Sequence, residues 1–325
     1  MSPLINHRRN MQRSIQKEEQ MINTTKSSNN QAAMPPLTRF YTVEHPKKSP
    51  MMTFWVYLYL LYALVPFVWL FINATKTKAD FASTFGLSFG SSFALWDNIV
   101  EVFTYNNGIF ARWILNTVLY TIIGTIISVL FATMGGYALA KLNFKGKHFI
   151  LLTILGSMAI PGVLLVVPQF LIFSQLGLTN TPWAVIIPSL LNPFGLYLMW
   201  TFSGQSVPTS LIEAARIDGA GEGRIFFQVA LPLMKPSLVT VSLFAFVSIW
   251  YNYFLPLIML KDSKWYPLAL GLAQWNAQGN EGGNMPIIPN LVITASLLVV
   301  FPLILLFLAL QRYWQSGLAI GATKG

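Results

Sequence analysis

The sequence predicts an all-α membrane protein with six spanning helices, and three observations carry that reading. The chain is 54% hydrophobic and only 10% charged over 325 residues, against about 25% charge in soluble domains. Six apolar runs are long enough to cross a bilayer, and none of them contains Asp, Glu, Lys or Arg. The runs are continuous, unlike the alternating segments of a β-barrel. A helix also satisfies its own backbone polar groups in lipid.

The first run is Phe54 to Asn73. Residues 1–50 precede it, rich in Asn, Gln, Ser and Lys and broken by Pro35, Pro36 and Pro46. Such a composition gives little apolar surface to offset the entropy of ordering. It reads as a flexible tail, with a docking helix around Met11 to Met21 as the alternative. About 50 polar residues stand before any apolar core, which does not fit a cleavable signal peptide. The first span therefore reads as an uncleaved anchor.

Residues 74–112 form the longest predicted link. It is dense in aromatics: Phe81, Phe85, Phe89, Phe93, Trp96, Phe103, Tyr105 and Phe110. That suits a packed loop, an interfacial helix or a partner-facing surface. The second run, Trp113 to Ala140, leads into a tight turn, Lys141 to Lys147. The third, Phe149 to Phe173, carries Pro161 and Pro168. Proline removes a helix hydrogen bond, so this span is expected to bend and to line something. The fourth is Trp183 to Ser203, the fifth Ser237 to Leu260 and the sixth Leu291 to Leu310. Pro188, Pro193 and Pro302 read as helix-end punctuation. The link from Lys261 to Pro289 is rich in Gly and Asn.

Net charge is +10, but its distribution reports topology rather than a nucleic-acid partner. Sixteen Lys and Arg lie before span one or after spans two, four and six; five lie on the other links. The positive-inside rule then places both termini in the cytoplasm. The domain reading is a flexible cytoplasmic tail over 1–50, a transmembrane domain over 51–315 and a cytoplasmic tail over 316–325.

The chain has no cysteine, which excludes disulfides and thiolate metal sites. His7, His45 and His148 are scattered without ligand spacing. No catalytic or metal-binding constellation emerges. Proton- and sodium-coupled carriers usually hold ionisable groups within the membrane, and these windows hold none. Their polar side chains are neutral, among them Asn116, Thr117, Gln169, Asn192, Tyr197, Ser248, Tyr251 and Asn252. With Trp200 and Trp250 they suit a path for a neutral polar solute such as a sugar. Helix–helix hydrogen bonding is the alternative for each.

Residues 204–236 are polar, Gly-broken and on the predicted cytoplasmic side. Ser210 and Glu213 match the capping-box spacing, so a helix is expected from Ser210 through Ala215. Gly219, Gly221 and Gly223 should end it, and a second helix should run from Arg224 to Ala230, closed by Pro232 and Pro236. The Gly run does not match a phosphate loop: Glu222 sits inside it and no Lys-Ser/Thr follows.

This segment, with Glu213, Ala214, Ala215, Asp218, Gly219, Ala220, Leu231 and Pro232, resembles the EAA loop of ABC importer permeases. Further stretches are similar to carbohydrate-uptake members of the maltose-transporter type: Asn116-Thr117 with Gly136 to Ala140, Leu176 to Thr181, Ser248 to Asn252, and Gly317 to Gly325. The chain departs from the family pattern at Ser210 and at Trp200-Thr201. The resemblance implies the type I importer fold and a bacterial cytoplasmic-membrane location. It implies a second permease subunit, two cytoplasmic ATPases that use ATP and Mg, and an external solute-binding protein. No cofactor is expected on this chain. The EAA residues would contact the ATPase. Asn116, Gln169, Asn192, Tyr197, Trp250 and Asn252 are the candidate substrate path. A polyol or glycerol phosphate permease of the same architecture, and a stand-alone secondary carrier, remain as alternatives.

Overall fold

A computed structural model describes residues 49–280 and 288–322. The predicted tail with its Met11–Met21 helix lies outside them, apart from Ser49 and Pro50, as do 281–287 and the final three residues. The chain divides into two units, 1–63 and 64–325. The described part of the first is the exposed, apolar beginning of helix α1, Pro50–Ala74.

Among the described residues every regular element is helical. Four stretches are long and apolar enough to cross a membrane: Pro50–Ala74, Leu95–Lys141, Trp183–Ser206 and Pro289–Gln311. Two bent pairs bring the total to as many as six. After α1 comes a short helix, α2, Lys78–Ser83. Helix α3 then runs from Leu95 to Lys141, beginning 18 residues before the predicted start at Trp113. The predicted link hid its first turns because Asp97, Glu101 and Arg112 interrupt the apolar pattern. It is also broken: Asn106, Asn107 and Gly108 all take left-handed backbone, with φ of 49°, 57° and 74°. Asn and Gly adopt that region more readily than other residues.

The third predicted span is two helices, α4 (Lys147–Met158) and α5 (Gly162–Gln175), bent by 104°. The break falls at Pro161, which precedes α5, while Pro168 lies within α5. The fourth is α6 (Trp183–Ser189) and α7 (Pro193–Ser206). Pro193 opens α7 behind Asn192, whose side chain accepts from the Gly195 N–H at 2.8 Å. Next come α8 (Thr209–Ile217), α9 (Glu222–Leu233) and α10 (Lys235–Trp250), the last two bent by 82°. The fifth predicted span is thus cut short at Trp250, and α11 (Phe254–Met259) follows a break.

The Lys261–Pro289 link is not all loop. It contains helix α12, Leu268–Asn280, held by burial of Leu268, Leu270 and Trp275. Helix α13, Ile288–Ala322, runs past 315 and holds Pro302 inside it rather than at an end.

Helix α3 is the central post, packed against α7, α10, α12 and α13. Two apolar clusters lie along it. One gathers Phe110, Trp113, Tyr120, Trp250, Tyr266 and Trp275; the other gathers Val129, Tyr137, Met199 and Val241 with residues of α8 and α9. Gly136 permits the closest crossing: a Cβ there would meet Trp200 N at 2.6 Å and Met199 C at 2.7 Å.

Candidate functional site

The 207–236 segment folds as a knob with an inner and an outer face. Val207 precedes Pro208 and is extended, as a pre-proline residue prefers, with φ −111° and ψ 104°. That sets the helix start at Thr209, with Pro208 at the cap and no side-chain capping bond. The predicted capping box from Ser210 therefore does not form; Ser210 is already inside the first turn.

The end of α8 follows its sequence closely. Gly219 has φ +79°. Its N–H donates to the Arg216 carbonyl at 3.0 Å, and the Ala220 N–H to the Ala215 carbonyl at 2.9 Å. This pair of bonds is the Schellman ending, which favours Gly at the left-handed position. Ala215 and Ala220 both pack against the second cluster, the apolar contact that accompanies such an ending. Arg216 then pairs with Glu222 at 2.7 Å across the turn. The hydrogen bond from its guanidinium to Glu222 raises the Arg216 pKa further. Glu222 opens α9, where a carboxylate complements the helix dipole.

In α9 the chain makes one wide turn, Phe226–Ala230, with the Leu231 N–H reaching the Phe226 carbonyl. Pro232 accounts for it physically. A proline in a helix has no N–H and its ring presses on the carbonyl four residues earlier; an i→i+5 turn relieves that contact. Ile212, Ile225, Phe226, Ala230 and Met234 are buried. Phe226 lies 5.2 Å from the Tyr137 ring, and the Ser203 hydroxyl donates to Met234 Sδ at 2.9 Å. Burial of each large side chain contributes about 1.5–3 kcal/mol, so the knob is held firmly to α3, α7 and α10.

The outer face carries Glu213, Ala214, Asp218 and Gly219, all exposed, together with Pro232. Leu231 is half-buried. Ile217 is 87% exposed and Phe227 55%, an apolar addition that motif spacing alone does not single out.

A cavity of about 600 Å³ opens elsewhere along the same helices. The α4–α5 bend lines it through Ser157, Met158, Ile160 and Gly162. Of the six candidate path residues, Gln169, Asn192 and Asn252 meet there, joined by Ser248. Ser128 and Ser189 line it too and were not singled out from sequence. Among the described residues none that lines it is charged.

The other three candidates lie elsewhere. Asn116 donates to the Lys264 and Tyr266 carbonyls at 2.8 and 3.0 Å. Tyr197 sits against Trp200, ring centroids 5.8 Å apart. Trp250 is buried and stacked on Phe246 at 5.4 Å.

Residues 124–319 match the family described as binding-protein-dependent transport system inner membrane component. The arabinooligosaccharides transport system permease protein AraQ of Halalkalibacterium halodurans is 35% identical, over 74% of this chain and 83% of its own length. The melibiose/raffinose/stachyose import permease protein MelC of Bacillus subtilis is 30% identical, over 80% of this chain and 91% of its own. A subunit in the crystal structure of a bacterial ABC transporter involved in the import of the acidic polysaccharide alginate is 25% identical. It superposes with a TM-score of 0.71, covering 81% of this chain and 95% of the other. The chain belongs to the family of binding-protein-dependent transport system inner membrane components, the membrane permeases of ABC transporters.

Proposed function

We propose that this chain is one of two permease subunits of an ABC importer, and that it translocates an uncharged sugar or oligosaccharide handed over by an external binding protein. Two ATPase subunits grip the 204–236 knob from the cytoplasm and hydrolyse ATP with Mg; this chain hydrolyses nothing. Both termini lie on that same side.

The observation that carries the reading is the two-faced knob. Its inner face is fixed to the bundle by buried side chains, and its outer face leaves Ile217 87% exposed. Helix α10 begins at the knob beside Met234 and reaches the cavity at Ala245, Ser248 and Ile249. At 1.5 Å per residue that path is about 20 Å. A movement imposed on the knob is thereby delivered to the cavity wall by one helix. Ala245 itself belongs to both the knob's cluster and the cavity lining.

The cavity supports the solute class. Hydroxyls and amides at Gln169, Ser189, Ser248 and Asn252 supply donors and acceptors for a polyol face, and apolar walls at Phe194 and Phe254 suit a ring face. A glycerol phosphate would enter without a cation to meet it. The test is co-expression with the neighbouring genes, tagged purification and an ATPase assay. Recovery of a second permease and an ATPase, with hydrolysis stimulated by sugar plus binding protein, supports the proposal. Purification of the chain alone, moving solute in vesicles without ATP, sinks it.

A further inference from the structure

We propose that the loop 84–96 is a membrane foot, seated in the headgroup–acyl boundary of the leaflet opposite the 204–236 knob. The inference rests on the chain's spanning a membrane and is independent of which solute it carries.

The loop is inside out for a segment facing water. Its outer surface is aromatic: Phe85, Phe89, Phe93 and Trp96 are 75, 60, 67 and 73% exposed. Behind it the flanking segments bury polar groups. Lys76 is fully buried, and Asn73, Asn98 and Asp80 are 2, 6 and 8% exposed. From Phe81 to Trp96 no residue is charged.

The buried polar groups satisfy the loop's own backbone. Lys76 Nζ donates to the Phe85 carbonyl at 2.9 Å. The Asn73 amide donates to both the Gly86 and the Trp69 carbonyls at 2.7 Å. The Ala94 N–H reaches Thr75 O at 2.8 Å, and the Ser91 hydroxyl reaches Asp80 at 3.0 Å. Irregular backbone tolerates an apolar medium only when its polar groups find partners within the protein. Here the Phe85 and Gly86 carbonyls and the Ala94 N–H find such partners, and at the headgroup boundary water reaches the backbone that does not.

Depth comes from Trp69 and Gly86. A Cβ on Gly86 would stand 2.7 Å from Trp69 Nε1, so the loop folds back beside the last turn of α1 instead of rising beyond it. It is therefore continuous with the exposed apolar side chains of 64–71, among them Leu64, Phe67, Val68 and Phe71. Trp concentrates at this level of a bilayer, and Phe side chains enter the headgroup–acyl boundary beside it. The leaflet follows from α3. Its first turn lies at the loop through Asn98, which donates to Ala74 and Lys76 carbonyls, and beyond the break at 105–108 the remaining helix from Ile109 to Lys141 is about 50 Å long at 1.5 Å per residue. Its far end lies at α7, where Lys141 donates to Gly204 O.

A soluble partner would be the other use of an aromatic surface; an uncharged run from Phe81 to Trp96, flanked by Asp97 and the Lys78–Glu101 pair and folded back against the end of α1, favours the lipid boundary, where apolar and charged groups sit side by side. The chain has no cysteine, so Phe89→Cys or Phe93→Cys introduces its sole thiol. Both side chains are exposed, and neither change removes a buried contact. A nitroxide on each, in the assembled transporter in liposomes, is read by collision with oxygen and with a water-soluble nickel chelate. Lys261→Cys, on an exposed link, is the aqueous reference. The expected result is oxygen collision above that reference and nickel collision well below it at both sites. Nickel collision equal to the reference at both sites overturns the foot in favour of an open aqueous surface. Protection from both reagents overturns it in favour of a covering protein.

Discussion

At Gly219 the backbone sits at φ +79° with no heavy atom within 4 Å of where a Cβ would lie, whereas at Gly136 the backbone of α7 occupies that place. The two glycines therefore answer different questions. A β-branched residue at Gly219 meets backbone strain of about 1–2 kcal/mol, confined to an exposed turn. Gly219→Val is expected to leave insertion and assembly intact while separating ATP hydrolysis from uptake, measured together in proteoliposomes. Uptake at the parent rate would count against the knob's proposed role. Gly136→Val must instead push two helices apart. Overpacking of this kind costs about 1–3 kcal/mol, so a lower midpoint of thermal unfolding in detergent is expected. Gly204→Ala, in a helix with open space around it, should raise stability by about 0.5–1 kcal/mol.

Among the elements, the span-end loop has its own pH signature. The Thr77 hydroxyl, then the Ser91 backbone and hydroxyl, hold the Asp80 carboxylate below its ordinary pKa against the opposing effect of burial. A depressed carboxylate stabilises the fold above the ordinary carboxylate range, and that contribution is lost as pH falls through the folded-state value. Asp80→Asn should therefore lower the unfolding midpoint at neutral pH and flatten its fall on acidification, followed by a thermal melt at several pH values. An unchanged acid limb would mean that Asp80 contributes nothing there. The same loop shows where sequence reading stops. Its aromatics were visible at once. Their outward orientation was not, because it depends on Asn73 and Lys76 reaching back to the Gly86 and Phe85 carbonyls. Element types were legible where composition alone decides them, as in α1 and α3 below Trp113. They were lost where tertiary burial decides. The Gly- and Asn-rich segment around Trp275 became a helix because Trp113 and Phe110 cover its indole.

Over the whole molecule, the EAA pattern located the knob, and the Gly219 ending with Ala215 and Ala220 is a local motif that sequence specifies. The cavity was legible only in part. Gln169, Asn192 and Asn252 stood out as polar residues in apolar runs, but so did Asn116, whose amide instead holds the 264–266 backbone. A one-dimensional pattern cannot separate a polar group that lines space from one that fastens a loop, since both are neutral and both sit in spans. The division of labour has a direct consequence. Knob and cavity share α10 and Ala245 but no side chain of the outer knob face lines the cavity. Filling the cavity should then stop the solute without disturbing the proposed contact of the knob with an ATPase. Ser248→Trp puts an indole into a space of about 600 Å³. Uptake is expected to fall by more than tenfold, equivalent to more than about 1.4 kcal/mol, while the variant still co-purifies with its partners and hydrolyses ATP. Asn116→Ala, by contrast, should weaken the fold through the lost carbonyl contacts, by about 1–3 kcal/mol for buried acceptors left unpaired. It should leave solute preference among competing sugars unchanged. If instead Asn116→Ala altered that preference and Ser248→Trp did not impede uptake, the translocation path would run along the Asn116 side of α3, and the cavity would be a packing void.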